Sequence, residues 1–307
     1  MARPGLFARI EEGWVRLPDN LRGVLWVTMG TLAFAINDVV VKFLGKTFHP
    51  FELALFRYGF GFLILLPVFL QMGATGLRTG VLRWHLFRLV LACIGQIGVY
   101  VSVINLLLAD ATAIAFSRPL FTTLVAVVVL HELVLWRRWA ATAVGFVGVV
   151  IMLRPDGGGL DPVALFAVGA ALIFAVANVL IRVLSRTEPP NRILFYYHAG
   201  GILVFLGPAL WVWRTPTGAE WLLLAALGAL TTVGMIGFVR GFAVGEASIV
   251  GPMEYTRLLY AGLFGFFVFA ELPSHWTFIG AAIIVASTLY IARVEALRGA
   301  RVGPAGG

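Results

Sequence analysis

Charged residues are scarce in this 307-residue chain, which excludes a water-soluble fold. Only 12% of the residues are charged and 60% are hydrophobic, whereas soluble domains carry roughly 25% charged residues. The mean hydropathy of +0.95 therefore predicts an all-α polytopic membrane protein whose partner is the lipid bilayer. The formal net charge of +8 does not indicate a nucleic-acid partner, because the basic residues stand singly or in pairs at the ends of apolar runs.

Cysteine and the usual catalytic motifs are also nearly absent. The single cysteine, Cys93, excludes an intramolecular disulfide and a cysteine-based metal site. The segment HELVL at 131–135 starts like a zinc-protease motif, but Leu135 stands where the second histidine is required. The sequence has no G-x-S-x-G nucleophile elbow and no G-x-x-x-x-G-K-[ST] phosphate loop. We therefore expect no enzyme activity, no cofactor, no metal site and no ATP hydrolysis by this chain.

Long apolar runs fill the rest of the sequence. A transmembrane helix needs about 20 mostly apolar residues, and ten such runs are present, of which 138–153 is the shortest. The connections between the runs are short, so no separate soluble domain is expected. The predicted spans are 22–44, 50–71, 84–108, 111–130, 138–153, 162–184, 192–213, 219–244, 248–270 and 275–293.

Lysine and arginine in the connections predict the orientation, because cytoplasmic segments carry an excess of them. With the N-terminus placed in the cytoplasm, the inside segments hold fourteen of these residues and the outside segments four. The four outside residues are Lys42, Lys46, Arg154 and Arg214. Ten spans return the chain to its starting side, so both terminal segments, 1–21 and 294–307, are predicted to be cytoplasmic.

An internal repeat relates the two halves of the chain. The segment LAFAINDVVVKFL at 32–44 aligns without gaps with LIFAVANVLIRVL at 172–184. The aligned pairs include Leu32 with Leu172, Phe34 with Phe174, Asp38 with Asn178 and Lys42 with Arg182. A weaker match relates 131–148 to 270–287. Because five is odd, two five-helix halves, predicted as 22–153 and 162–293, have opposite orientations and form an inverted repeat.

The end of each half carries the features of a known family. Residues 116–155 and 251–291 each contain a proline-bearing helix, an acidic residue (Glu132 or Glu271) and a glycine-bearing last helix. Together with the two five-helix halves, this pattern resembles the EamA-type members of the drug/metabolite transporter superfamily over about 22–293. The resemblance implies a ten-helix carrier with a central cavity, located in the bacterial cytoplasmic (inner) membrane as a monomer or homodimer.

The resemblance also implies a function. A family member of this kind is expected to be a secondary transporter that works by alternating access, here an exporter of amino acids, including aromatic or apolar ones. The alternative is a carrier of a bulkier metabolite such as S-adenosylmethionine or riboflavin, which NDVVVK in helix 1 and PMEYTRLL in helix 9 resemble somewhat more. A second alternative is a structural membrane subunit that transports nothing.

Helix 1 carries polar residues inside its apolar run. Asp38 stands roughly 12 Å below the outer interface, where a charge costs at least ~2.5 kcal/mol. Either Asp38 pairs with Lys42 or with Arg57 of helix 2, or it meets a substrate amine or a proton. With its neighbour Asn37 it is expected to face an aqueous path. Lys42, at the helix end, is expected to snorkel to the interface.

Proline and charge coincide in helix 4 and in helix 9. SRP places Arg118 before Pro119, and PMEYTR places Glu254 and Arg257 after Pro252. Each proline removes a backbone donor, and such a break is tolerated only where it is buried or lines a cavity. Glu254 and Arg257 either pair with each other or line that cavity. One alignment of the halves makes Arg118 equivalent to Arg257 and another makes it equivalent to Glu254, and the sequence leaves both open.

Aromatic side chains near these charges form either a wall of the pathway or part of the interface belt and packing. They are Tyr58, Tyr100, Phe116, Tyr196, Tyr197, His198 and Tyr255. The predicted substrate-binding residues are Asn37, Asp38, Arg57, Tyr100, Arg118, Glu254, Tyr255 and Arg257. On helix 8, glycine recurs every four residues, which predicts a close-packing stripe. The stripe consists of Gly237, Gly241 and Gly245.

Overall fold

Helices account for nearly all of the chain that the structure describes. The computed structural model describes residues 17–130, 136–153 and 161–301, and these contain no strand. The helices are α1 (Asp19–Leu44), α2 (Pro50–Leu77), α3 (Leu82–Asn105), α4 (Leu108–Ala115), α5 (Arg118–Leu130), α6 (Trp136–Leu153), α7 (Pro162–Leu184), α8 (Pro190–Trp211), α9 (Gly218–Val244), α10 (Ala247–Val250), α11 (Thr256–Phe269) and α12 (His275–Arg301).

Nine of the ten predicted spans are, within the described ranges, helical segments long and apolar enough to cross a membrane. The remaining one, predicted over 248–270, is divided into α10, a 3-10 turn at Gly251–Tyr255 and α11. The helical boundaries also differ at the chain ends. Helix α1 starts at Asp19, and α12 continues to Arg301, so helix extends into the segment 294–307 that was predicted as a tail.

The two halves pack on each other reciprocally. The first helix of each half packs along the third helix of the other, α1 on α9 and α7 on α3. The second helices pair as α2 with α8, and the fifth helices pair as α6 with α12. The broken fourth helices follow the same rule, since α11 packs against α1 and α5 against α7. This reciprocity is the arrangement expected of an inverted five-helix repeat.

Both predicted helix breaks are present. In the first half, α4 ends at Ala115 and α5 begins at Arg118, directly before Pro119. In the second half, Pro252 lies in the 3-10 turn that precedes α11. Proline has no backbone donor and its ring clashes with the carbonyl one turn earlier, so the α-helical hydrogen-bond ladder is interrupted in both places. The breaks put the ends of short helices in the middle of the bundle.

The glycine stripe of α9 allows that helix to approach α1 closely, as predicted. A Cβ atom added to Gly237 would lie 2.7 Å from the carbonyl oxygen of Trp26 and 2.9 Å from the Cα of Gly30. A Cβ atom on Gly241 would lie 3.0 Å from the carbonyl oxygen of Gly23. Because backbone atoms cannot move aside, only glycine permits this contact. It holds the first helix of one half against the third helix of the other.

Candidate functional site

A buried ion pair joins the two halves at the break in the second one. Arg257, in the first turn of α11, donates hydrogen bonds to Asp38 Oδ2 on α1 from Nη2 at 2.6 Å and from Nε at 3.2 Å. The side chain of Asp38 is 6% exposed and that of Arg257 is 23% exposed. Asp38 therefore pairs with neither Lys42 nor Arg57, the two partners considered from sequence. Helix packing supplies a partner 219 residues away.

Arg118 occupies the corresponding place in the first half. Its guanidinium lies over the ring of Phe174 at 4.7 Å, and the guanidinium of Arg257 lies over the ring of Phe34 at 5.4 Å. Phe34 and Phe174 are aligned in the repeat, so the structure decides the open register: Arg118 is equivalent to Arg257. The position equivalent to Asp38 is Asn178, an amide that carries no charge and is exposed.

This asymmetry leaves Arg118 without a carboxylate. Among the residues that the structure describes, no acidic group forms an ion pair with Arg118, and its buried Nε atom has no hydrogen-bond partner. Two charged groups act on the Arg118 guanidinium: Arg257 repels it, and Asp38 attracts it but is already paired with Arg257. A guanidinium in a low-dielectric interior is costly unless an anion or water compensates it. The site thus has an open requirement for a negative group.

A small cavity connects these groups. Asp38, Arg118 and Arg257 all line it, together with the small or apolar residues Val99, Ser102, Val103, Ala111, Thr112, Ala115, Ala167 and Ala171. Its volume of about 20 Å³ is room for about one water molecule. The hydroxyl of Thr112 is buried without a hydrogen-bond partner in the described part of the chain. In this conformation the walls are closed tightly around three ionised side chains.

The other predicted site residues do not line this cavity. Asn37 is buried and faces α9, where the hydroxyl of Thr231 lies 3.5 Å from its Oδ1, so it does not face the path expected for it. Glu254 lies in the 3-10 turn and forms no ion pair with Arg257 in the described structure, which excludes the internal pair considered from sequence.

Two aromatic rings mark the two helix breaks. Tyr255 packs against Phe116, with ring centroids 5.0 Å apart. These two residues are equivalent in the register that relates Arg118 to Arg257, so they meet where the halves meet. Tyr100, between the cavity-lining residues Val99 and Ser102 on α3, is fully buried. The remaining predicted residue, Arg57, donates a hydrogen bond to the Tyr197 hydroxyl at 3.3 Å.

A second ion pair closes one end of the bundle. Lys42, at the C-terminal end of α1, pairs with Glu271 just after α11, and both side chains are largely buried. Lys42 Nζ also donates to the carbonyl oxygen of Leu106 at 2.5 Å, and Glu271 Oε2 accepts from the backbone N–H of Leu108 at 2.8 Å. The prediction that Lys42 snorkels to the interface is therefore wrong. The repeat-related Glu132 lies outside the described residues.

Sequence reasoning missed several members of the site. Glu271 was noted only as a family feature, and its role as the partner of Lys42 needs the packing of α11 against α1. Thr112 and Ser102 line the cavity without any motif that marks them. Phe34 and Phe174 had a usable signal, because they are identical at aligned positions in the repeat. The other signal was that Arg118 aligns with Arg257 in one of the two registers.

Comparisons with known proteins agree with this architecture. The EamA-like transporter family matches residues 21–154 and again residues 161–293. The S-adenosylmethionine uptake transporter of Rickettsia prowazekii (strain Madrid E) is 32% identical over 275 residues, covering 90% of this chain and 94% of that protein. The riboflavin transporter of Vibrio cholerae serotype O1 (strain ATCC 39315 / El Tor Inaba N16961) is 32% identical over 291 residues, covering 92% and 96%.

More distant relatives extend the range. The pseudopaline exporter CntI of Pseudomonas aeruginosa (strain UCBPP-PA14) is 26% identical over 276 residues. A solved crystal structure superposes with a TM-score of 0.61 over 93% of this chain and 99% of that one, at 22% identity, which shows a shared fold. These named relatives are transporters, not enzymes. The chain therefore belongs to the EamA-like transporter family and is a multi-pass membrane transporter.

Proposed function

We propose that this chain is a secondary transporter that takes up S-adenosylmethionine, or a metabolite with the same α-amino-carboxylate end, across the bacterial cytoplasmic membrane. The observation that carries the proposal is Arg118, a cation that lines the central cavity and has no carboxylate in the described structure. A substrate carboxylate satisfies it with a charge-assisted, bidentate hydrogen bond. The substrate amine then lies toward Asp38, which lines the same cavity.

The relatives favour this substrate over a free amino acid. Proteins named as S-adenosylmethionine uptake transporters in four Rickettsia species are 32–34% identical over about nine-tenths of the chain. Free amino acids, whose export is predicted from the sequence, carry the same α-amino-carboxylate group. The geometry of the site therefore fits them as well. Amino-acid export therefore stays a prediction that the same experiment tests.

Riboflavin is the second candidate, because relatives named as riboflavin transporters are 28–32% identical to the chain. Riboflavin is uncharged and carries no carboxylate. Bound in this cavity, it leaves the charge of Arg118 uncompensated, at the cost of a buried unpaired cation. The charges of the site therefore favour the aminoacyl metabolite.

The closed end supports an alternating-access mechanism in which two repeats, 22–153 and 162–293, rock against each other around the cavity. The Lys42–Glu271 pair and the packing of α4 against α11 close the end of the bundle at which α1 ends. If both termini lie in the cytoplasm, as the lysine and arginine bias predicts, that end faces outward and the described conformation is closed to the outside. Opening requires the pair to separate.

Counterflow into proteoliposomes that contain only this chain tests the proposal. Vesicles are preloaded with one unlabelled candidate, and uptake of the same labelled compound is followed, for S-adenosylmethionine, riboflavin and a set of amino acids in turn. We expect counterflow with S-adenosylmethionine and weaker exchange with amino acids. Counterflow with riboflavin alone, or with amino acids alone, would contradict the proposed substrate. A chain that exchanges none of them behaves as a structural subunit.

A further inference from the structure

Two arginines converge on one tyrosine ring in the middle of the bundle, apart from the cavity. The guanidinium of Arg57 on α2 lies 5.9 Å from the ring centroid of Tyr197 on α8, and that of Arg88 on α3 lies 4.9 Å from it. Arg57 stands seven residues after the first residue of its helix, and Arg88 stands six residues after the first residue of its own. Each side chain therefore reaches roughly 10 Å into the membrane.

The described residues provide no anion for these two cations. Neither Arg57 nor Arg88 forms an ion pair with a carboxylate within those ranges. The one hydrogen bond that Arg57 makes there is to the Tyr197 hydroxyl. Arg88 is 9% exposed, and its buried Nε has no partner. Arg57 also lies over the ring of Tyr58, at 5.1 Å. Stacking on aromatic rings offsets part of the cost of a buried cation, but it leaves most of the guanidinium N–H donors without an acceptor.

Further unused donors surround the pair. The hydroxyls of Tyr58 and Tyr100 are buried without a hydrogen-bond partner in the described chain, and both residues lie within electrostatic range of Arg57. Native structures leave few buried polar groups unsatisfied, and each such group calls for an explanation. Every group here can donate a hydrogen bond, so an acceptor with negative charge suits this cluster.

The cluster adjoins the central cavity through α3. Tyr100 lies within electrostatic range of both Arg57 and Asp38. Val99 and Ser102, its near neighbours on α3, line the cavity together with Asp38. A ligand in the cavity therefore lies close to this second group of donors.

We propose that Arg57, Arg88, Tyr58 and Tyr100 form an anion-binding subsite beyond the central cavity, for a carboxylate or a small inorganic anion. The carboxylate comes from the transported solute as it moves through the bundle, and the inorganic anion comes from the surrounding solution. The proposal holds whichever solute is carried, because it rests on the charges of the cluster and not on the substrate of the central cavity.

Anion-dependent stability of the purified full chain tests the subsite. Thermal unfolding is followed in detergent while acetate, phosphate or chloride replaces the bulky sulfonate MES at constant ionic strength. We expect saturable stabilisation of the wild type by at least one of these anions. The variant Arg88→Gln should weaken the apparent affinity by about tenfold or more, the effect of losing one charge-assisted hydrogen bond.

Two matched variants separate the subsite from other cations. Arg118→Gln removes the cation of the central cavity, and Arg83→Gln removes an exposed cation five residues before Arg88 on the same helix. Arg83→Gln should leave anion stabilisation unchanged. Arg118→Gln should remove only the part of the response that comes from the central cavity, and the part that Arg88→Gln weakens should persist. If Arg88→Gln does not fold, the double variant Tyr58→Phe and Tyr100→Phe keeps the packing, removes two donors and should weaken the same response.

Counterflow identifies the source of the anion. In one outcome, phosphate or acetate raises the KM of the labelled solute in the wild type but not in Arg88→Gln. The anion then competes with the solute, and the subsite takes the carboxylate of the solute. Stimulation by an inorganic anion without competition shows that it takes a free anion. The proposal is wrong if no anion stabilises the wild type, or if Arg118→Gln abolishes the response while Arg88→Gln retains it.

Discussion

Arg257 donates two hydrogen bonds to a single carboxylate oxygen of Asp38, from its Nη2 and Nε atoms. The pair connects α1 in one repeat to α11 in the other. Arg118, in the equivalent position of the first repeat, has no carboxylate partner among the described residues, because the residue aligned with Asp38 is the amide Asn178. One half of the central site is thus neutral and the other half carries an uncompensated cation. In the proposed binding mode, an anionic group on the substrate compensates the charge of Arg118.

Removing either member of the Asp38–Arg257 pair should have unequal effects. Arg257→Gln strands Asp38, which is 6% exposed, and breaking a buried pair costs about 3–5 kcal/mol. Asp38→Asn should cost less, because Arg257 is 23% exposed at the cavity and stacks on Phe34. Thermal unfolding of the purified variants checks this order. The double variant Asp38→Asn and Arg257→Gln should regain stability without regaining counterflow. Normal transport by that double variant would show that the pair has only a structural role.

Arg118→Gln should impair recognition of the carboxylate without unfolding the protein. The variant removes a cation that has no acidic partner in the described structure, so it strands no charge. We expect the KM for S-adenosylmethionine to rise by about tenfold or more. The matched substrate is decarboxylated S-adenosylmethionine, whose KM should differ little between wild type and variant. An equal rise for both compounds would place the carboxylate elsewhere.

Glu271→Gln should loosen the closed end of the bundle. It leaves Lys42 without its counter-ion and weakens the bond to the backbone N–H of Leu108. The readout is the variant Ala111→Cys, whose thiol lies in the cavity wall and is labelled by a reagent added from outside. We expect Glu271→Gln to make this labelling about tenfold faster, which corresponds to a shift of about 1.4 kcal/mol in the equilibrium between the closed and open forms. The background carries Cys93→Ser, so that the introduced cysteine is the one that reacts.

The control for this labelling is Glu220→Gln. It breaks the ion pair between Glu220 and Arg214, which is more exposed than the closed-end pair, and exposed pairs contribute little to stability. Labelling of the cysteine at Ala111 should then be unchanged. Equal acceleration by Glu220→Gln and Glu271→Gln would mean that general loosening, and not the opening of a gate, causes the effect.

Gly237→Ala should destabilise the protein by about 2 kcal/mol, because the added methyl group meets the backbone of α1 and the two helices must separate. The comparison is Gly207→Ala on α8, where an added Cβ has no neighbour within 4 Å. That change should be neutral or stabilising by up to about 1 kcal/mol through helix propensity. Thermal unfolding of both variants decides the matter, and equal melting temperatures would refute the close-packing role.

Both termini are predicted to lie in the cytoplasm. A reporter enzyme that is active only outside the cytoplasm, fused after Gly307, should therefore be silent. The same reporter inserted at Pro216, in the connection between α8 and α9, should be active. Activity at the C-terminal fusion together with silence at Pro216 would reverse the orientation, and the closed end of the bundle would then face the cytoplasm.

The amino-acid sequence by itself determined the membrane class, the helical architecture and the inverted repeat. Low charge and long apolar runs leave only helices in a bilayer, because every backbone group must be satisfied internally. The two helix breaks were also predicted, because Pro119 and Pro252 each remove a backbone donor beside charged residues within an apolar run. The glycine stripe on α9 followed from its spacing alone.

Only the tertiary structure decided which charges meet. From the sequence, Asp38 had partners one turn away or on the next helix, yet its partner is Arg257 on α11. Lys42 was expected at the lipid interface, yet it pairs with Glu271 at the closed end. The physical reason is that local spacing ranks neighbours within one helix, whereas ion-pair partners in a bundle are chosen by which helices pack together. That packing depends on contacts between segments more than 200 residues apart.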